Sequence, residues 1–275
     1  MKKLKFTKMV ATGNDFIVVD NRKPYLVSRL PAGQAGISHL AKKLCDRKLG
    51  IGADGLILLE KSKKCDFRMR IFNPDGSEPD MCGNGSRCIA LFSNKEKIAE
   101  RDMSIETKAG VLLANVRGSN VKINMTDPKD LHLGLDLKID NKIYKLNHIN
   151  TGVPHVVCFA DDIDSLDLFT LGRTIRYHRV FMPEGTNVNI VETKTKNSIY
   201  VRTYERGVES ETLACGTGSV ASAIISGITK GFKSPVKVHT KGGDLKIYFK
   251  EKNKILSNIF LEGRAEEVFK GEWRI

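Results

Sequence analysis

Residues Arg70–Ser86 read RIFNPDGSEPDMCGNGS, and residues Arg202–Ser219 read RTYERGVESETLACGTGS. Each stretch opens on a β-prone run, crosses a charged loop and closes on Cys-Gly-x-Gly-Ser at the head of a helix-prone segment. Arginine and cysteine stand 12 positions apart in the first and 13 in the second, and Cys82 and Cys215 stand 133 positions apart in a chain of 275. A repeat of nearly half the chain points to two similar domains rather than a solenoid. It also relates the two Cys-Gly-x-Gly loops by an approximate two-fold axis.

Working outward, strand-like segments dominate. In the first half they are Leu4–Met9, Phe16–Asp20, Leu56–Glu60, Phe67–Phe72, Val111–Val116 and Val121–Met125. In the second they are Val156–Phe159, Val188–Glu192, Ile199–Tyr204, Val236–Thr240, Leu245–Phe249 and Ile255–Leu261. All are rich in β-branched and aromatic residues and bounded by Gly, Asn, Asp or Pro. Helices are predicted over Ile37–Arg47, which is amphipathic, and over Gly83–Asn94 and Gly216–Lys230, which open on glycine-rich turns. Thr126-Asp127-Pro128 follows a strand and marks a boundary between the halves.

Composition excludes several classes. With 41% apolar and 28% charged residues the chain is neither disordered nor collagen-like nor a small disulfide scaffold. The net charge is +13, but the lysines form short scattered clusters without interleaved aromatics, which argues for a solvated surface and against a nucleic-acid partner. The longest uncharged stretch, Thr212–Thr229, carries three Gly, three Ser and three Thr and reads as a buried helix, so no membrane partner is expected. The start has no apolar run of signal-peptide length, and the six cysteines show no CxxC pair. Reduced thiols in a cytoplasm are expected, with no metal site.

The cysteine loops carry the chemistry. A cysteine just before a glycine-rich helix start lies at the positive end of the helix dipole, which favours the thiolate. The exposed backbone N–H groups there can also hold a carboxylate. Two such loops facing one bound carbon offer a thiolate on one side and a thiol on the other, the arrangement that inverts a stereocentre. A rival reading, a dinucleotide fingerprint at Gly216-Thr217-Gly218-Ser219-Val220-Ala221, fails on context, because a polar loop rather than an apolar strand precedes it. Cys45, Cys65, Cys88 and Cys158 read as packing residues.

At this point the chain resembles the diaminopimelate epimerase family nearly end to end. The resemblance runs through Lys8-Met9, Gly13-Asn14-Asp15-Phe16, Gly50-Ile51-Gly52-Ala53-Asp54-Gly55, Phe72-Asn73-Pro74-Asp75-Gly76 and Met81-Cys82-Gly83-Asn84-Gly85-Ser86-Arg87-Cys88. It continues through Thr151-Gly152-Val153-Pro154-His155, Pro183 to Val188, Tyr204-Glu205-Arg206-Gly207 and Glu211 to Gly218. It implies a fold of the α/β (α+β) class with two similar pseudo-symmetric domains, each a β-barrel-like sheet around a central helix, and an active site in the interdomain cleft. The domains would cover 1–126 and 127–263, with 264–275 returning to the first.

The implied activity interconverts LL- and meso-2,6-diaminopimelate without pyridoxal phosphate or other cofactor, in a cytoplasmic, homodimeric enzyme. Cys82 and Cys215 would be the acid/base pair. Gly83, Asn84, Gly216 and Thr217 would bind the reacting carboxylate through backbone N–H groups. Asn14, Asn73, Asn187, Glu205 and Arg206 would hold the remaining polar groups, Arg206 taking the distal carboxylate bidentately. His155 and Glu205 would tune the thiols. Val153 and Gly55 depart from residues found in some relatives, and both are expected to line the distal pocket. Three other readings stay open: a proline- or hydroxyproline-type cysteine-pair racemase, a basic nucleic-acid-binding module and a dithiol redox protein.

Overall fold

The computed structural model describes residues 3–23, 33–140, 142–252 and 255–274. Lys2 of the Lys2-Lys3 pair and Lys254 of the lysine cluster 250–254 lie outside them. The chain divides into two compact units, one running to Ile123 and resuming at Gly263, the other spanning Asn124–Glu262.

In the first unit β1 (Lys3–Ala11) pairs antiparallel with β2 (Asn14–Asp20) across the tight turn at Thr12-Gly13. Helix α1 (Gly33–Cys45) then crosses over to β3 (Gly55–Glu60), which lies parallel to β2 and antiparallel to β4 (Phe67–Phe72). Helix α2 (Gly83–Lys95) makes the second crossover, to β5 (Asp102–Thr107), parallel to β4. Strands β6 (Gly110–Arg117) and β7 (Asn120–Asn124) follow as a meander.

Burial explains why β3 reads as a continuous apolar run. Leu56 and Leu58 belong to a core with Ile37, Leu40, Ala41 and Leu44 of α1. The alternate residue, Ile57, faces Gly85 of α2, where a Cβ would stand 3.1 Å from the Ile57 Cδ1. A strand covered on both faces has no polar side to show. Helix α2 packs against β1, β2, β3, β4 and β6 and is buried from Asn84 to Ser93, so the sheet wraps around it.

The second unit repeats the order. Strands β8 (Lys129–Ile139) and β9 (Lys142–Asn150) form an antiparallel ribbon, and β9 pairs antiparallel with β10 (Pro154–Phe159). Helix α3 (Leu168–Arg176) crosses to β11 (Asn187–Thr195), parallel to β10. Then come β12 (Ser198–Glu205), antiparallel to β11, the short β13 (Ser210–Thr212), and α4 (Gly216–Lys230). Helix α4 crosses to β14 (Val236–Thr240), parallel to β12. Strand β15 (Gly243–Lys252) pairs antiparallel with β14 and is followed by β16 (Ile255–Arg264). Helix α4 packs against β9, β10, β11, β12, β14 and β15, as α2 does against its own sheet. The last strand, β17 (Glu266–Arg274), belongs to the first unit and pairs antiparallel with β1 from Lys3–Arg274 to Val10–Glu266.

All the predicted strands occur, as do the three predicted helices, with α1 ending at Cys45 rather than Arg47. Strands β5, β8, β9, β13 and β17 and helix α3 were not expected. Strand β8 is exposed over most of its length and β17 never fully buried, so neither carries the apolar alternation that marks a strand. Helix α3 has only nine residues, held at its start by Asp167, whose side chain accepts from the Thr170 N–H.

Candidate active site

Each unit ends its crossover loop on a cysteine, and in each an arginine–glutamate pair braces that loop. Arg70 on β4 donates to both carboxylate oxygens of Glu78, from Nε at 2.8 Å and Nη2 at 2.9 Å. Arg202 on β12 does the same to Glu211, at the same two distances. Both arginines start the repeated sequence, so the duplication extends to the device that fixes the approach to the helix.

In the first unit Cys82 is the N-cap of α2, with extended backbone (φ −140°, ψ 119°), and its carbonyl accepts the Ser86 N–H at 2.8 Å. Asn84 sits in the first turn with its side chain turned inward. The Asn84 Oδ1 accepts from the Thr12 hydroxyl at 3.1 Å and from Arg87 Nη2 at 2.7 Å. Thr12 adopts φ 46°, the left-handed region that β-branched residues rarely visit, and Gly13 follows at φ 80°. The N–H groups at the start of α2 have no intrahelical acceptor, which is the requirement for holding an anion. Asn14 donates from Nδ2 to Asp54 Oδ2 at 2.9 Å. Asn73 donates from Nδ2 to the Ser77 hydroxyl at 2.9 Å and closes the turn after β4.

In the second unit Cys215 is the N-cap of α4 (φ −115°, ψ 116°), and its Sγ accepts the Gly218 N–H at 3.4 Å. The Thr217 hydroxyl also lies 3.4 Å from that sulfur. Behind it is His155, fully buried on β10, with Nε2 2.9 Å from Thr217 Oγ1 and Nδ1 3.1 Å from Asn189 Nδ2. The Asn189 nitrogen also donates to the Val156 carbonyl at 2.9 Å, which fixes the amide orientation. His155 Nδ1 is therefore an acceptor, its proton sits on Nε2, and Nε2 donates to Thr217. That leaves the Thr217 hydroxyl proton free to donate to the Cys215 sulfur when that sulfur is a thiolate. The chain Asn189–His155–Thr217–Cys215 is thus directed toward the thiol.

Burial, then the positive charges of Arg206 and His148, push the His155 pKa down to about 3. The unfolded ring takes up a proton near 6.5 and the folded ring does not, so the unfolded state binds more protons in between. The stability that this contributes is complete above about pH 6.5 and declines as pH falls toward 3. His155→Gln is expected to flatten this part of the profile, measured by urea unfolding at pH 7 and pH 5. An identical pH difference in wild type and variant would contradict a neutral buried His155.

The Glu205–Glu209 turn closes this half. Asn187, 3% exposed, donates from Nδ2 to the Pro154 carbonyl at 3.0 Å and accepts the Arg206 N–H through Oδ1 at 2.8 Å. Its amide therefore ties β10 to the turn. Arg206 Nη1 donates to the Glu184 carbonyl at 3.0 Å. Glu205 accepts from the Thr212 hydroxyl at 2.8 Å, and burial raises its pKa.

Gly55 is buried in the first unit, where a Cβ would stand 3.0 Å from the Phe72 carbonyl oxygen and 3.2 Å from the Phe16 ring. One expectation needs correction. Cys65 is only half-buried, in a turn, whereas Cys45, Cys88 and Cys158 are core residues whose thiols burial pushes up, to about 12 for Cys45 and about 11 for Cys158. None of the six cysteines is in a disulfide, and no cluster among the described residues could hold a metal ion. Thr12, Arg87, Asn189 and the two Arg–Glu braces were missed in the sequence. Only the braces had a signal there, since both copies of the repeat start on Arg and place Glu before Cys.

Known structures place the fold. A PhzF-family phenazine biosynthesis protein from Bacillus anthracis superposes with a TM-score of 0.75 at 19% identity, over 100% of both chains. A probable proline racemase from Agrobacterium radiobacter superposes at 0.68 and 16% identity, over 99% of this chain and 92% of that one. The architecture is the PhzF and proline racemase-like class of two pseudo-symmetric α/β domains. Within that class sequence is decisive. The family model described as diaminopimelate epimerase matches residues 6–131 and 148–268. The diaminopimelate epimerase of Hydrogenobaculum sp. is 43% identical over 274 residues, 96% of each chain. The chain belongs to the diaminopimelate epimerase family.

Proposed function

We propose that this protein interconverts LL- and meso-2,6-diaminopimelate, a step toward lysine and cell-wall precursors, with Cys82 and Cys215 as the acid/base pair. The observation that carries the reading is the matched pair of helix N-termini, each with a cysteine at the N-cap, one in each of two similar units. The mechanism requires the two sulfurs on opposite faces of one α-carbon. One sulfur, as thiolate, takes the α-proton: an S–H bond forms as the C–H bond breaks, and the electron pair stays on carbon, spread into the carboxylate. The other sulfur, as thiol, protonates the opposite face and is left as thiolate. Charge and electrons balance with no oxidant, and no step calls for a cofactor.

The developing charge falls on the carboxylate held by the N–H groups of Gly83, Asn84, Gly216 and Thr217, where two helix dipoles act on it. Asn14, Asn73, Asn187, Glu205 and Arg206 hold the remaining polar groups of the substrate, Arg206 taking the distal carboxylate and Glu205 an ammonium. His155 acts on Cys215 through Thr217, and Glu205 is the second residue that tunes the thiols. A thiol pair of this kind suits a reducing compartment, which supports a cytoplasmic location. None of the described helices is long and apolar enough to cross a membrane. The family resemblance supports a homodimer.

The test is proton NMR of LL-diaminopimelate with the reduced enzyme in D₂O. Loss of an α-proton signal with appearance of the meso form is expected. Absence of exchange with verified reduced thiols would refute the assignment, and exchange of proline or hydroxyproline instead would favour the racemase reading.

A further inference from the structure

Away from the cysteine loops, β12, β14 and β15 lie side by side, and α4 packs against all three. Ile199, Val201, Val236, Val238 and Leu245 are buried, so their neighbours in sequence share the opposite, outer face. That face brings together Ser198, Tyr200, Lys237, His239 and Asp244, with Tyr200 opposite His239 and His239 opposite Asp244 in the ladders. Ser198 and Glu205 are the two ends of β12, which places them about 23 Å apart along the strand. The cluster is therefore remote from Glu205 and the turn that follows it.

His239 joins two of these side chains. Its Nε2 lies 2.9 Å from Ser198 Oγ, and its Nδ1 lies 2.7 Å from Asp244 Oδ1. A carboxylate has no proton to give, so the neutral ring carries its proton on Nδ1 and donates it to Asp244. Nε2 keeps its lone pair and accepts from the Ser198 hydroxyl. Each member is also held from outside the trio. Tyr200 stacks on the imidazole, with ring centroids 4.5 Å apart and planes 20° apart. Lys237 Nζ lies 3.1 Å from Asp244 Oδ2. Burial works against the Asp244 charge, but Lys237 and His239 hold its carboxyl below the usual range. Asn197, at φ 62°, presents Ser198 from a pinned turn. It donates from Nδ2 to the Lys233 carbonyl at 2.9 Å and accepts the Lys233 N–H at 2.8 Å, and its carbonyl accepts the Lys237 N–H at 2.9 Å. A half-exposed His–Asp pair adds little to stability. A hydroxyl on a base whose far nitrogen is fixed by a carboxylate is the arrangement of an activated nucleophile.

We propose that Ser198, His239 and Asp244 form a second reactive site, in which Ser198 accepts acyl groups from small esters with good leaving groups. Ser198 Oγ bonds to the acyl carbon while His239 Nε2 takes the hydroxyl proton. The C–O bond to the leaving alcohol then breaks, and the alcohol departs with that proton. Water, deprotonated by the same nitrogen, releases the acid and restores the serine. Ser198 and His239 are the catalytic residues, and Asp244 is a positioning residue that acts through the ring. The Asp244 side chain is 56% exposed, so the site is shallow and suits a small acyl group on a reactive leaving group.

The test is labelling by an alkyl fluorophosphonate, which forms an Oγ–P bond at an activated serine and expels fluoride. Peptide mass spectrometry locates the label in wild type, His239→Gln, Asp244→Asn and Asp244→Glu, with urea-unfolded wild type as the control. Label is expected on Ser198 of the folded protein, about 100-fold or more faster than in the unfolded control or in His239→Gln. Asp244→Asn is expected to slow it about tenfold or more, and Asp244→Glu to restore much of the rate. Absence of label at Ser198, or a rate unmoved in His239→Gln, would overturn the proposal. If His239→Gln fails to fold, the comparison of folded with unfolded wild type decides. No diaminopimelate is used, so this outcome and that of the D₂O experiment are independent.

Discussion

Alanine at either Cys82 or Cys215 is expected to lower epimerisation of LL-diaminopimelate by about 10³-fold or more while the protein stays folded. In the proposed mechanism each sulfur is the base in one direction and the acid in the other, so neither direction survives the loss of either one. Removing Sγ leaves the helix N-termini and their N–H groups in place, so substrate binding changes less than turnover. Chiral separation of the products gives the rate, and far-ultraviolet circular dichroism confirms the fold. The Cys215→Ala protein adds a sharper check. Cys82 can still remove and return a proton on its own face, so one epimer is expected to exchange its α-proton for deuterium with configuration retained. Full turnover in either variant would remove the two-thiol mechanism.

The second large effect is on stability. Glu211→Gln alone is expected to destabilise the protein by about 3 kcal/mol, because it leaves the largely buried Arg202 without its carboxylate. Arg202→Met is expected to cost less, because Lys241 Nζ still meets Glu211 Oε1 at 2.9 Å. The side chains of Arg202 and Glu211 are 12% and 24% exposed, and Arg202 Nη1 also donates to the carbonyls of Ile163 and Leu166. The double variant Arg202→Met/Glu211→Met is expected to recover part of the loss, since both charges leave together. Arg202 is the main cause holding the Glu211 carboxyl below its usual pKa. Its contribution is therefore complete above the unfolded carboxylate range and lost as pH falls through the folded value. Urea unfolding at pH 7 and pH 4 measures both effects. A single variant as stable as wild type would deny the pair its bracing role.

Much of this was legible in the sequence because it is local. Cys-Gly-x-Gly-Ser reports a helix start wherever it occurs, and the apolar runs of β3 and β11 report strands covered on both faces. The missed parts depend on distant residues meeting. The tautomer of His155 is set by Asn189, which lies 34 positions away and is brought near by the parallel pairing of β10 with β11. Arg87 sits in a helix like any surface arginine, and nothing near it in sequence says that the residue is buried. Nothing in the sequence singles out Thr12; its left-handed backbone makes sense only once Asn84 and Arg87 are seen to grip its hydroxyl. Strand β17 is polar and exposed and shows itself only by its ladder to β1.

The Arg–Glu braces are alike in the two halves to a tenth of an ångström, while the residues behind the two sulfurs are not. Such an outcome is closed to two identical half-length chains. Two copies of a half-length ancestor would have been bound by identity: a histidine behind one sulfur would have meant a histidine behind the other. Once both halves lay in one reading frame, the shared scaffolding could be inherited unchanged while each side of the reaction drifted to its own solution. The unequal neighbourhoods of Cys82 and Cys215 are a specialisation that fusion made possible.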